Sequence, residues 1–161
     1  MTKPAGIVYR FGKNAIVRVA LGLPDGTKPL PAAFKVLCLA KDVSISRTNN
    51  KIALENFCTN GAAIDISDGS SNGTMALGES TWTEADPALM LLEQAAMNTA
   101  GVETGFDVWF EILPISAGTG KPLYDVVGWV EMWMLKIPSK GIIAVDHTIS
   151  VYGVPTPGVQ A

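Results

Sequence analysis

The chain has 161 residues and carries 12 basic against 15 acidic side chains, for a formal charge of −3. That length predicts one domain with a core of its own, and that balance argues against a basic nucleic-acid footprint. Only 17 % of residues are charged, against roughly 25 % in an average soluble domain, and mean hydropathy is positive at +0.27. Few charges and much apolar surface predict that other subunits cover part of this molecule.

The N-terminus, MTKPAGIVYRFGKNA, has no apolar stretch of signal-peptide length, and the apolar runs Val36–Ala40 and Ala88–Leu92 are far short of a membrane span. The expected setting is a cytosol, with no membrane partner. Cys38 and Cys58 read as reduced thiols. Turn dipeptides recur at Asp25-Gly26, Asn60-Gly61, Asp68-Gly69 and Asn72-Gly73, with short β-type runs between them. Ala15–Leu21 is the first convincing strand, and the Pro-rich stretch 22–35 that follows is a loop. Val36–Ala40 and Val43–Arg47 read as a strand or a bent pair. Residues 48–73 read as a long, loosely structured excursion in which Ile52, Leu54, Phe57, Ile64 and Ile66 stand out among Asn, Gly, Ser and Asp.

Thr74–Glu84 is the next strand. One helix is predicted at about 87–100, with Asp86 as N-cap, Pro87 at the first helical position and Gly101 as the stop. Its apolar stripe is Leu89, Leu92, Ala96 and Ala100. Three strands close the chain. Phe106–Leu113 alternates, with Asp107, Trp109, Glu111 and Leu113 on one face. Tyr124–Ile137 places Asp125, Val127, Trp129, Glu131 and Trp133 on one face and Val126, Val130, Met132 and Met134 on the other. Ile142–Tyr152 is the last strand, and residues 153–161 are a flexible Pro/Gly tail. The fold class is mainly β with one helix: a β-sandwich or partial barrel of antiparallel strands in a single domain, 1–161.

Catalytic patterns are poor. Gly69-Ser70-Ser71-Asn72-Gly73 has the letters of a nucleophile elbow, but strand-like residues follow where a helix is needed, and His147 is the sole histidine. Gly118-Thr119-Gly120-Lys121 lacks the first glycine of a phosphate loop and has Pro122 where Ser or Thr belongs. One His and two distant Cys make no zinc set, and Asp65 and Asp68 lack the calcium-loop pattern. No cofactor, no metal and no enzyme activity are expected. The carboxylates Asp107, Glu111, Asp125 and Glu131 lie at alternate positions on two long strands beside Trp109, Trp129 and Trp133. A solvated sheet face accounts for them, as does an acidic surface with a mechanical purpose.

Taken in order, these elements resemble the tail tube (major tail) proteins of long-tailed bacteriophages. The resemblance lies in Ser44-Ile45-Ser46-Arg47 leading into the Asn/Gly/Ser stretch, the single helix, FDVWFEILP, a Gly-rich hairpin, YDVVGWVEMWMLKIPSKGI and a closing strand ending HTISVYGVPTPG. It is one of layout and texture, with no diagnostic short motif. It implies a structural virion protein that stacks as hexameric rings into a hollow tube, assembled in the host cytoplasm, through which DNA passes without specific binding. It also implies tape measure, tail tip and tail terminator proteins as partners, and its texture favours a non-contractile tail. On that reading Asp107, Glu111, Asp125 and Glu131 face the lumen and repel phosphates. Ile52, Leu54, Phe57, Ile64 and Ile66 then belong to a loop, 48–73, that bridges one ring to the next. Alternatives are a head-decoration or tail-completion subunit, a tube subunit of a bacterial secretion machine, and a carbohydrate-binding β-sandwich using Trp82, Trp109, Trp129 or Trp133 as a platform.

Overall fold

The computed structural model describes residues 15–38, 40–54, 64–97 and 107–161. The strands pair antiparallel throughout. They are β1 (Ile16–Leu21), β2 (Lys35–Val36), β3 (Asp42–Leu54), β4 (Ile64–Thr81), β5 (Asp107–Leu113), β6 (Pro122–Lys136), β7 (Ala144–Val151) and β8 (Thr156–Val159). The sheet runs β2-β1-β5-β6-β7-β4-β3, and β8 adds to β6.

The two edges of this sheet are successive in sequence. From Val36 to Asp42 the chain takes six steps, about 22 Å at full stretch, whereas six strand spacings in a flat sheet come to about 29 Å. The sheet therefore curls. This is the partial barrel expected from the sequence.

The helix α1 (Pro87–Met97) packs on the inner face. Asp86 caps it: Oδ1 accepts from the amides of Ala88 (2.9 Å) and Leu89 (3.4 Å), an arrangement that contributes on the order of 1 kcal/mol. Its buried stripe is Ala88, Leu89, Leu92 and Ala95, with Ala96 only half-buried. The stripe is turned from the predicted one, with Ala88 and Ala95 buried in place of Ala96, and the predicted Ala100 lies outside the described residues. Against it lie Val19, Val108, Phe110 and Val126. Met75, Leu77, Val145, Ile149 and Val151 continue the core. Gly128 marks the crowded centre, where a Cβ would lie 2.2 Å from Ser150 O.

Three expectations change. Residues 48–54 and 64–73 are not loosely structured. They are the outer parts of β3 and β4, paired from Thr48↔Asn72 to Leu54↔Ile64 with one irregularity after Asn49. Side-chain hydroxyls and amides had masked the strand signal there. The C-terminal stretch is likewise no free tail, because β8 pairs with β6 from Pro122↔Val159 to Asp125↔Thr156. Finally, β6 does not keep one alternation. A bulge between Val130 and Met132 inserts one residue, so every side chain beyond it changes face. Trp133 turns inward against the core, and Met132 and Met134 turn outward, each 41 % exposed.

Candidate assembly and channel surfaces

Of the four acidic candidates, Glu111 and Asp125 are direct cross-strand partners. Arg18 pairs with Glu111, Glu111 with Asp125 and Asp125 with Thr156, so one line of polar side chains crosses β1, β5, β6 and β8 on the face away from the core. This row is not an open negative surface. The 22–34 loop folds over it and delivers Lys28, whose Nζ stands 2.8 Å from Glu111 Oε1 and 2.8 Å from Asp125 Oδ1. Arg18 Nη1 lies 3.8 Å from Glu111 Oε2. Burial disfavours the Lys28 ammonium, and the two carboxylates outweigh that, holding it above the ordinary lysine range. The same ammonium lies 5.6 Å from the Phe34 ring centroid, a cation–π contact.

Glu111 is 9 % exposed, so two cations neutralise a buried carboxylate here. Lys28→Met will strand that charge. Its side chain is one-third exposed and Arg18 remains, so the loss should be about 1–2 kcal/mol rather than the full cost of breaking a buried pair. A fall in urea midpoint that Glu111→Gln partly restores in the double variant is the expected result.

The other acidic candidates are placed differently. Asp107 shares the face and accepts from Tyr152 Oη at 3.1 Å. Glu131 is the bulged residue and is exposed. Of the apolar candidates in the hairpin, Ile52 pairs with Ile66 and Leu54 with Ile64 along the backbone, but their side chains, and Phe57 entirely, lie outside the described residues.

That hairpin is the most unusual part of the molecule. β4 meets β7 only from Gly73 onward. Residues 64–72, about 30 Å of strand, pair with β3 alone among the described residues. A two-stranded ribbon is marginal by itself and needs a surface to lie on.

The motifs weighed for catalysis assemble nothing. Ser70 and Ser71 lie within the extended β4, bonded to Asn50 and Arg47, with no elbow turn. His147 lies in the core, 2 % exposed. The Gly118–Lys121 turn is tied to the chain end: Gln160 accepts from Gly118 N at 2.9 Å, and its Nε2 donates to Ser116 O at 3.0 Å. Among the described residues no group of His, Cys, Asp and Glu is placed to hold a metal, and no helix is long and apolar enough to cross a membrane. The sequence reading missed Lys28 and Gln160. A lone lysine in a Pro-rich loop and a glutamine near a chain end carry no periodic signal.

No family model and no curated protein matches the chain in sequence. Solved structures do match in fold. The SPP1 tail tube superposes with a TM-score of 0.64 at 11 % identity, over 94 % of this chain and 80 % of that one. This is the tail-tube fold. The tail subunit of an empty gene transfer agent particle, refined with sixfold helical symmetry, gives 0.60 at 11 % identity over 95 % and 100 %. A chain of the anti-feeding prophage baseplate gives 0.61 at 12 % identity over 98 % and 97 %. The tail-tube fold thus spans nearly the whole molecule.

Proposed function

We propose that this chain is the repeating subunit of a hollow tail tube that conducts DNA from a virion-like particle. The observation that carries this reading is the shared fold over 94–98 % of the chain with the SPP1 tail tube, the tail of a gene transfer agent particle and a chain of the anti-feeding prophage baseplate. The rings are hexameric, the sixfold symmetry of the gene transfer agent tail being the support for that number. The principal partner is the chain itself, with tape measure, tip and terminator proteins at the ends of the tube, and the location is the tail, built in the host cytoplasm. The role is structural, without catalysis. The ribbon of residues 49–54 and 64–72 lies on the next ring, because it has too little of its own sheet to lie on. A second reading, a baseplate ring that starts such a tube, draws support from the anti-feeding prophage match.

Negative-stain electron microscopy of the purified protein at rising concentration tests this. Extended tubes or stacked rings with a central channel are the expected result. A single closed ring that never extends favours the baseplate reading, and a small oligomer with no channel refutes both.

A further inference from the structure

The curled sheet has two stretches of surface facing away from its core, and they differ in chemistry. On the first, Glu111 and Asp125 lie beneath the 22–34 loop and β8 adds beside them. The second belongs to β3, β4, β7 and the far half of β6, and no described segment lies across it.

Its side chains can be read row by row. Ser44, Ala76, Thr148 and Met132 are cross-strand neighbours, and so are Ser46, Thr74, Ser150 and Trp129. The positions between them, Met75, Leu77, His147 and Ile149, point the other way and are buried. The face is thus a carpet of short hydroxyl and methyl groups, exposed or half-buried, across three strands. Arg47 belongs to the opposite phase of β3, where it bonds Ser71 and the Gly153 carbonyl. The lysines at the end of the face are occupied: Lys136 Nζ is 2.5 Å from Asp146 Oδ2, and Lys41 Nζ is 2.5 Å from Glu79 Oε2. Asp146 also accepts from Glu79 N at 2.8 Å, which holds that corner together. Met132, Met134 and Trp129 border the face on its β6 side and bring no positive charge.

We infer that this hydroxyl face of β3, β4 and β7, and not the Glu111–Asp125 row, lines the channel and meets the DNA in transit. The inference rests on the tube reading and assigns its lumen. A wall that lets a duplex slide must not gather phosphates. Free lysines and arginines would do so by releasing counterions, and each added contact would steepen the hold. Short hydroxyls stay hydrated and offer exchangeable, weak hydrogen bonds. Lysines already paired with carboxylates have no free charge to give. The wall is slippery by neutrality, without needing net negative charge.

The test uses tubes built from a Cys38→Ser, Cys58→Ser parent carrying either Ala76→Cys or Ser46→Cys, both at exposed positions. Each tube is offered a small fluorescent maleimide and, separately, a maleimide-bearing gold particle wider than the channel seen by microscopy. Dissociated subunits should react with both reagents. Assembled tubes should react with the small one only, with labelling by gold at least tenfold lower than for dissociated subunits. Gold labelling along the tube wall would place the face outside and overturn the assignment. Protection from both reagents, or loss of tubes with both variants while the parent still forms them, would make the face a subunit interface and also overturn it. A parent with the natural cysteines that forms no tube at all overturns the tube reading itself, which microscopy separates from the other outcomes.

Discussion

Replacing residues 50–70 with a two-residue Asn-Gly turn will leave a folded subunit that no longer polymerises. The cut falls at Asn49↔Ser71, a paired position, so the shortened strands close as a tight hairpin in unbroken register. Everything the core uses lies inside that point. Ile45↔Met75 and Val43↔Leu77 remain paired, β4 keeps its whole contact with β7 from Gly73 to Thr81, and α1 is untouched. Thermal unfolding should therefore remain one cooperative transition within a few degrees of the parent. What is lost is the ribbon that pairs with β3 alone. If the ribbon docks on the next ring, sedimentation and microscopy should show the polymer gone, an effect of orders of magnitude in the concentration needed for assembly. Tubes of normal length from this variant would remove the hairpin from the inter-ring contact. An insoluble product would mean instead that the ribbon folds back on its own subunit.

How much of this was legible in the sequence follows from the physics of each segment. The helix was legible because Asp86, Pro87 and the alanine-rich run act within a few residues of one another. The faces of β5 were legible because period-two alternation is also local, and Val108, Phe110 and Glu111 sit where it places them. The second half of β6 was not. One bulge after Val130 inverts Met132, Trp133 and Met134, and nothing in VGWVEMWML marks where it falls. The ribbon was missed for a different reason. Its sequence carries hydroxyls and amides at successive positions, as in Thr48-Asn49-Asn50 and Ser70-Ser71-Asn72, which reads as loop. Asp107, Glu111 and Asp125 do share one sheet face, Glu131 falls at the bulge instead, and the charge of the Glu111–Asp125 pair was misjudged. A carboxylate's neighbours across strands are visible in a pairing pattern, whereas a lysine arriving from a loop 97 positions away is not.

Acid should weaken the folded subunit well before its carboxylates titrate, and His147 is the cause. The ring is 2 % exposed, set between Leu77 on β4 and Trp133 on β6, and neither nitrogen has a hydrogen-bond partner among the described residues. Burial disfavours the imidazolium, and the neighbouring Asp146 only partly offsets this, so the pKa falls from 6.5 to about 4. The unfolded chain takes up a proton below pH 6.5 that the folded chain refuses until about pH 4. Stability is therefore complete above the unfolded value and declines with falling pH through that window, since the unfolded state binds more protons there. At about 1.4 kcal/mol per pH unit the loss amounts to about 3 kcal/mol. His147→Leu keeps an apolar side chain of similar size and removes both orphaned nitrogens. It should unfold at higher urea concentration than the parent at pH 7, by about 1–2 kcal/mol, and lack the slope between pH 6.5 and 4. Asp146 and Glu79, whose carboxyls are held below their ordinary range by Lys136 and Lys41, should leave their own acid limb in both proteins at lower pH. Urea midpoints for the two proteins across pH 4–7 isolate the histidine as the difference between the curves. Parallel curves would show that the imidazole is hydrated or bonded in solution and that its burial carries no such cost.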